Sequence, residues 1–199
     1  MRLLVPGIVV FALLASPWQL VPESATSVSS NLPPAAQSMQ RKLQHIESNG
    51  QAAPLDPTPT VLNEDEVNAY LNSRAVVLPK GVQRVRLEGL PGVVEGHARV
   101  DFDQLTEGKR SSNPLLLLFT GVHDVEIAGH ARGDRGQASI HVDRVTLDGV
   151  EVPRSALEFF VERYLRPRYP QVGLDTRFQM PRRIDTAIVG EHKLTLVQK

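Results

Sequence analysis

Three histidines, His97, His130 and His141, fall on the polar side of segments that alternate like β-strands. Imidazoles from neighbouring strands hold zinc when their nitrogens reach ~2.1 Å from one point. No spacing such as His-Glu-x-x-His imposes that convergence here, so solvated side chains on an outer sheet face are expected. Two carboxylate pairs, Asp101 with Asp103 and Asp124 with Glu126, also share strand faces. Such a pair does acid–base chemistry only when one member is desolvated, and outward strand positions predict the opposite. The chain has no Gly-x-Ser-x-Gly, no phosphate loop and no dinucleotide fingerprint. It also has no cysteine, which removes thiolate metal sites, a cysteine nucleophile and disulfides. The residue types therefore predict a non-enzymatic protein without catalytic residues, metal ligands or a cofactor.

Apolar residues carry the stronger signal. Leu115, Leu116, Leu117, Leu118 and Phe119 follow Asn113-Pro114 and precede Gly121, which reads as one or two helical turns. A helix that is apolar all round must be buried on every side or must touch lipid or a partner. Phe159 stands beside Phe160, about 100° round a predicted helix, so one of the two leaves the main stripe. Ala98, Gly129 and Ala131, with Gly96 and Ala138, put small side chains on one face of the predicted strands. That face has room for a helix or an apolar ligand. The candidate lipid-contact set is therefore Leu115, Leu116, Leu118, Phe119, Phe159, Ala98, Gly129 and Ala131.

The elements that position these residues follow from periodicity. The chain has 199 residues, 41% apolar and 22% charged, a globular composition with length for one domain and a tail. Aromatics are only 5%, so aliphatic residues must build most of the core. Lys+Arg and Asp+Glu are both 22. The resulting zero net charge lacks the basic field that nucleic-acid binding requires.

Asn63-Glu64-Asp65-Glu66 is a helix start, with a capping residue and three carboxylates at the positive helix end. Val67, Tyr70 and Leu71 form its apolar stripe, and Pro79 and Gly81 end the element. From Val82 the period changes from 3.6 to 2, and two alternating runs flank Pro91-Gly92. A two-residue turn there would oppose Glu88 to Glu95 and Arg84 to Arg99. Like charges so placed are unfavourable, which predicts a shifted register or a wider loop. A second hairpin turns at Gly133-Asp134-Arg135-Gly136, with Ala131 paired to Ala138, Gly129 to Ile140 and Ile127 to Val142. Strand character resumes over residues 145–152. Residues 154–165 read as a helix, and residues 178–189 and 193–197 as a closing hairpin. The fold class is α+β: a curved antiparallel β-sheet of about six or more strands packed against two or three helices.

The N-terminus predicts export. Met1-Arg2 is a short positive region and residues 3–14 are almost purely apolar, which suits a signal peptide and is short for a bilayer span. Residues 1–22 therefore read as a signal peptide or an N-terminal anchor. Residues 23–59 read as a Ser-, Pro- and Gly-rich linker with a short helix at 35–48, carrying Met39, Leu43 and Ile46 at helical spacing. The folded domain is expected over residues 60–199.

The segment Leu62-Asn63-Glu64-Asp65-Glu66-Val67-Asn68-Ala69-Tyr70-Leu71 resembles the opening motif of exported bacterial β-proteins of the LmeA-like and YpmS-like groups. There a Leu-Thr-Glu-x-Glu-Leu-Asn-x-x-Leu helix precedes long antiparallel strands. Met180-Pro181, a strand, a Gly turn and a final Leu194-x-Leu196 strand look similar too. Asn63 and Val67 depart from the usual Thr and Leu. The resemblance implies a curved sheet wrapped against helices, in places like lipid-carrier folds, and phospholipid binding at a cell envelope. The functional expectation is an exported, periplasmic or envelope-associated module that binds lipid on its apolar sheet face. The alternative is a protein-interaction or scaffolding domain of an envelope complex with no ligand. Membrane contact would run through the N-terminus, and no nucleic acid is expected.

Overall fold

The computed structural model describes residues 32–108, 114–167, 169–170 and 172–199, and of Leu115 only the backbone. The predicted signal or anchor segment, residues 1–22, and linker residues 23–31 lie outside the described residues. The described chain is an α+β fold. A curved, unclosed antiparallel sheet of nine strands runs in the order β1-β9-β8-β4-β3-β2, with β5 on the other edge of β4 and carrying β6 and β7. The strands are β1 Thr60–Asn63, β2 Val82–Leu90, β3 Val93–Asp101, β4 Val122–Asp134, β5 Gln137–Leu147, β6 Val150–Glu151, β7 Asp175–Gln179, β8 Ile184–Gly190 and β9 Lys193–Gln198. The helices are α1 Pro34–Gln51, α2 Glu64–Leu71, α3 Phe102–Leu105 and α4 Arg154–Phe160, which continues as a π-helical turn over Val161–Leu165. A 3₁₀ turn covers Pro114–Leu118.

The expected boundary at residue 60 is corrected by α1. Pro34 opens this helix at its first turn, where a missing N–H costs nothing. Ala36, Met39 and Ile46 are buried in the same core as the sheet, and Leu43 packs against it. Its C-terminal turn is tied to the last strand by two buried amides: Asn49 Nδ2 donates to Gln198 Oε1 at 2.9 Å, and Gln198 Nε2 donates to Ile46 O at 2.9 Å. The domain therefore includes Leu32, itself buried. The stripe of Met39, Leu43 and Ile46 is a core face and not an incidental feature of a linker.

Helix α2 covers the outer edge of β2 with a polar ladder. Gly89 N–H donates to Glu64 Oε2 at 3.1 Å. Asn68 exchanges two bonds with the backbone of Leu87, at 2.7 and 2.8 Å. Asn72 does the same with Val85, at 3.1 and 2.6 Å. Residues four apart on the helix thus meet every second residue of a strand, because the ~6 Å rise over four helical residues nearly matches the ~6.8 Å two-residue repeat. The amides stand in for a neighbouring strand and remove a free edge. Glu66 accepts from Asn63 N–H at 3.1 Å and from Lys42 and Ser38 of α1 at 2.5 and 2.6 Å. The acidic helix start is therefore also the joint between the two helices.

The hairpin registers differ from those expected. The β2–β3 turn is the tight one, Leu90 pairing with Val93, and Glu88 does oppose Glu95. A one-residue slip would turn Val85, Leu87 and Ala98 out of the core, and that outweighs one like-charge pair. A bulge at Arg84, with φ 47°, replaces the second like-charge pair by Gln83 against Arg99. In the β4–β5 hairpin the loop is two residues, not four: Asp134 pairs with Gln137, Gly133 with Ala138, Ala131 with Ile140 and Gly129 with Val142. Arg135 and Gly136 both have positive φ, 49° and 74°, the type I′ geometry that matches strand twist. A bulge between Ala128 and Gly129 then pairs Ile127 with Val145. Strand β5 runs to Leu147 and turns back into β6, and the expected single run over 178–189 is split into β7 and β8 around Met180.

Gly133 lets the sheet bend. It is the residue at which β4 meets β8, opposite Ala187, and a Cβ there would lie 2.7 Å from Met180 Sδ and 2.8 Å from Ala187 Cβ. At the opposite side the β2–β3 turn reaches the β8–β9 hairpin through Gly92 N–H to Val189 O at 3.0 Å and His192 N–H to Gly89 O at 2.8 Å. The core lies inside this curve.

Candidate functional site

The candidate lipid-contact residues whose side chains are described do not share one surface. Ala98 and Ala131 face the core and are buried. Gly129 sits at the β4 bulge, where a Cβ would meet His141 O at 2.6 Å, so its small size serves close backbone approach. Leu116 and Phe119 are core residues. The Phe119 ring stacks on Phe160 at 4.3 Å, and Phe102 stands edge-on to both, at 5.4 and 5.5 Å. The side chain of Leu115 lies outside the described residues. Only Leu118 and Phe159 reach the surface, 46% and 50% exposed.

Other exposed apolar residues lie outside the candidate set. Leu117, next to Leu118 in the 3₁₀ turn, is 63% exposed. The chain then enters β4 at Val122, also exposed. Val150 is exposed at the start of β6, just after the Asp148-Gly149 turn. That turn is held to the start of β4: Asp148 N–H donates to Asp124 O at 2.8 Å, Asp124 N–H to Asp148 Oδ1 at 2.9 Å, and the His123 ring lies 2.6 Å from Asp148 Oδ2. Phe159 lines an open groove of about 520 Å³ with Arg154, Glu158, Glu162 and Arg166. Val150 pairs with Leu147 on the edge of β5 opposite to β4, where Leu147 pairs with Val125, so Val122 and Val150 stand on strands separated by β5.

A cleft between α2, β2 and the β8–β9 hairpin, lined by Leu62, Val67, Leu87, Val94, Val189 and Leu194, encloses about 40 Å³. Small-molecule sites occupy ~300–1,000 Å³, so this cleft has no space for an acyl chain.

The histidines and carboxylates are distributed along the outer face. His130 directly opposes His141, not Ser139. His130 Nδ1 lies 2.7 Å from Asp143 Oδ2, His141 Nδ1 bonds to Asp175, and Asp175 also pairs with Arg154 at 2.5 Å. His97 faces Glu126 at 3.9 Å. Among the described residues no three His, Asp or Glu groups are placed to hold one metal ion. Asp101 and Asp103 do not share a strand face, because β3 ends at Asp101 and α3 begins at Phe102. Asp101 caps that helix, accepting from Gln104 N–H at 3.1 Å. Asp124 pairs with Arg99 at 3.1 Å.

Two histidines that the sequence reading passed over join elements. The hydrogen bond that His123 donates to Asp148, with one to Thr120 O, raises the His123 pKa against the effect of burial. The hydrogen bond and charge of Glu64 raise that of His192. Burial pushes the Glu64 carboxyl up, but His192 and Gly89 N–H outweigh it and hold it below its usual value. Asp148 is lowered by Asp124 N–H and by His123. Raised histidines stabilise the fold fully below their unfolded pKa of ~6.5, and that contribution is lost as pH rises through the folded values. Lowered carboxylates stabilise it above ~4 and lose that contribution as pH falls through their folded values. Urea-unfolding midpoints should therefore peak at about pH 5–6 and fall on both sides, and His123→Gln should flatten the alkaline limb. A midpoint that stays constant from mild acid to mild alkali would contradict this assignment.

Comparison of the chain with protein-family models, curated proteins and solved structures finds no match.

Proposed function

We propose that this protein is a non-enzymatic interaction module of an exported, envelope-associated protein, docking a partner through exposed apolar residues. One observation carries the reading. The small-residue face of the sheet is filled by the protein's own side chains, while Leu117 and Leu118 of the 3₁₀ turn and Val122, four residues on, stand exposed, as do Val150 and Phe159. Isolated exposed apolar residues need no explanation, but a cluster of them marks a contact surface. Export and envelope association rest on the apolar residues 3–14 and the positive Met1-Arg2.

Lipid binding, the other reading, is favoured by the same exposed residues but not by the 40 Å³ cleft. Two measurements separate the readings. Native mass spectrometry of protein purified without detergent should show the mass of the chain alone. Crosslinking in envelopes should give a discrete adduct that weakens severalfold with Leu118→Asp and with Phe159→Asp. A stoichiometric lipid adduct, or crosslinking indifferent to both substitutions, would overturn the proposal.

A further inference from the structure

Among the described residues strand β7 pairs only with β5, which leaves its other edge unpaired, and the pairing register fixes which backbone groups are used. Met180 N–H donates to Gly136 O and Val142 N–H to Leu174 O, both at 2.8 Å. In an antiparallel ladder alternate residues bond across a given edge, so Thr176 and Phe178 face β5. Asp175, Arg177 and Gln179 therefore direct their N–H and C=O groups away from the sheet. The edge of β2, by contrast, is covered by Glu64, Asn68 and Asn72. An uncovered edge is a template for one more strand.

The two faces beside this edge differ in chemistry. On the outer face the registers align Arg132 of β4, Ser139 of β5 and Arg177 of β7 in one row. The row lines an open groove of about 660 Å³ that also contains Arg135. Arg135 is paired with Asp134 at 3.0 Å, whereas Arg132 and Arg177 have no ion-pair partner among the described residues. On the inner face Phe178 is half-buried against the core. An added strand would set alternate side chains against the arginine row and against Phe178.

We propose that the β7 edge binds an extended segment of a partner protein in which acidic and apolar residues alternate, adding it to the sheet as a further strand. The proposal deepens the interaction reading above and rests on it. It assigns the partner's chemistry at the β7 edge rather than at those exposed apolar residues.

The test uses the full chain and two synthetic probes, a short peptide alternating Val and Glu and one alternating Val and Lys. Fluorescence anisotropy should show the Val–Glu peptide binding at least about tenfold more tightly. Amide hydrogen exchange should show new protection at Asp175, Arg177 and Gln179. Gln179→Pro keeps both arginines but replaces an outward N–H with a ring, and should abolish binding of either peptide. Arg177→Glu alters an exposed, unpaired side chain and should remove the preference for the acidic probe. Equal binding of the two probes, protection elsewhere, or those three amides already protected in a dimer of the chain would each overturn the proposal. If the peptides fail and the native mass spectrum shows no lipid, the edge assignment falls while the interaction reading stands. A bound lipid would remove that reading and leave the peptide result to be judged alone.

Discussion

A chain beginning at Thr60 should show no cooperative unfolding transition and should aggregate, whereas one beginning at Leu32 should unfold in a single step. The difference is α1. Removing it uncovers the core positions covered by Met39 and Ile46, each of which contributes about 1.5–3 kcal/mol when fully buried. It also deprives Gln198, 3% exposed, of the Asn49 and Ile46 bonds, leaving the one from Nε2 to Arg182 O. Each hydrogen bond so lost contributes about 0.5–1.5 kcal/mol. Glu66 would lose the Lys42 ammonium and the Ser38 hydroxyl together. The sum approaches the 5–15 kcal/mol that holds a typical domain together. Circular dichroism during urea titration, with light scattering to detect association, decides the matter. A Thr60 chain that unfolds cooperatively near the midpoint of the Leu32 chain would show that α1 is only an ornament on the sheet.

The sequence showed a helix at 35–48 but not that it docks on the sheet. The period change at Val82 announced antiparallel strands, and Asn63 with its carboxylates announced α2, because both signals are local. Residues 23–59 carry enough Pro, Ser and Gly to read as linker, and α1 has only a narrow apolar stripe. What fastens its end is an amide pair between residues 149 positions apart, which leaves no trace in local composition. The same limit governed the registers. Like-charge opposition between Glu88 and Glu95 is visible locally, but the burial that overrides it is a property of the folded sheet. A two-residue turn at Arg135-Gly136 was hidden because arginine is an uncommon occupant of positive φ.

Small residues were the least transparent signal for the site. A face of Gly and Ala reads as space for a guest, yet glycine and alanine also permit close approach of one chain segment to another. Gly133 admits Met180 and Ala187, and Gly129 admits the backbone of His141. The guest at those positions is the protein itself. The outward β7 edge, in turn, needed the register of three strands before its arginine row could be seen.

Phe159 and Phe160 offer the sharpest single-residue contrast. Phe160→Ala should lower unfolding free energy by about 3–5 kcal/mol, the range for emptying an aromatic position in a core. The ring stacks on Phe119 at 4.3 Å, meets Phe102 edge-on at 5.5 Å and lies 5.3 Å from Tyr164. Its loss leaves a cavity that α4, the 3₁₀ turn and α3 all border. Phe159→Ala removes a side chain that is 50% exposed, and should change stability by no more than about 0.5 kcal/mol while weakening partner crosslinking. Adjacent residues of the same type then separate two positions: one rotation of about 100° along the helix carries a ring from the centre of the aromatic cluster to the exposed side of α4. Denaturant midpoints for the two variants, measured beside their crosslinking yields, test both halves. Equal destabilisation would place Phe159 in the core, and a stable Phe160→Ala protein would mean that the aromatic cluster does not hold this end of the fold together.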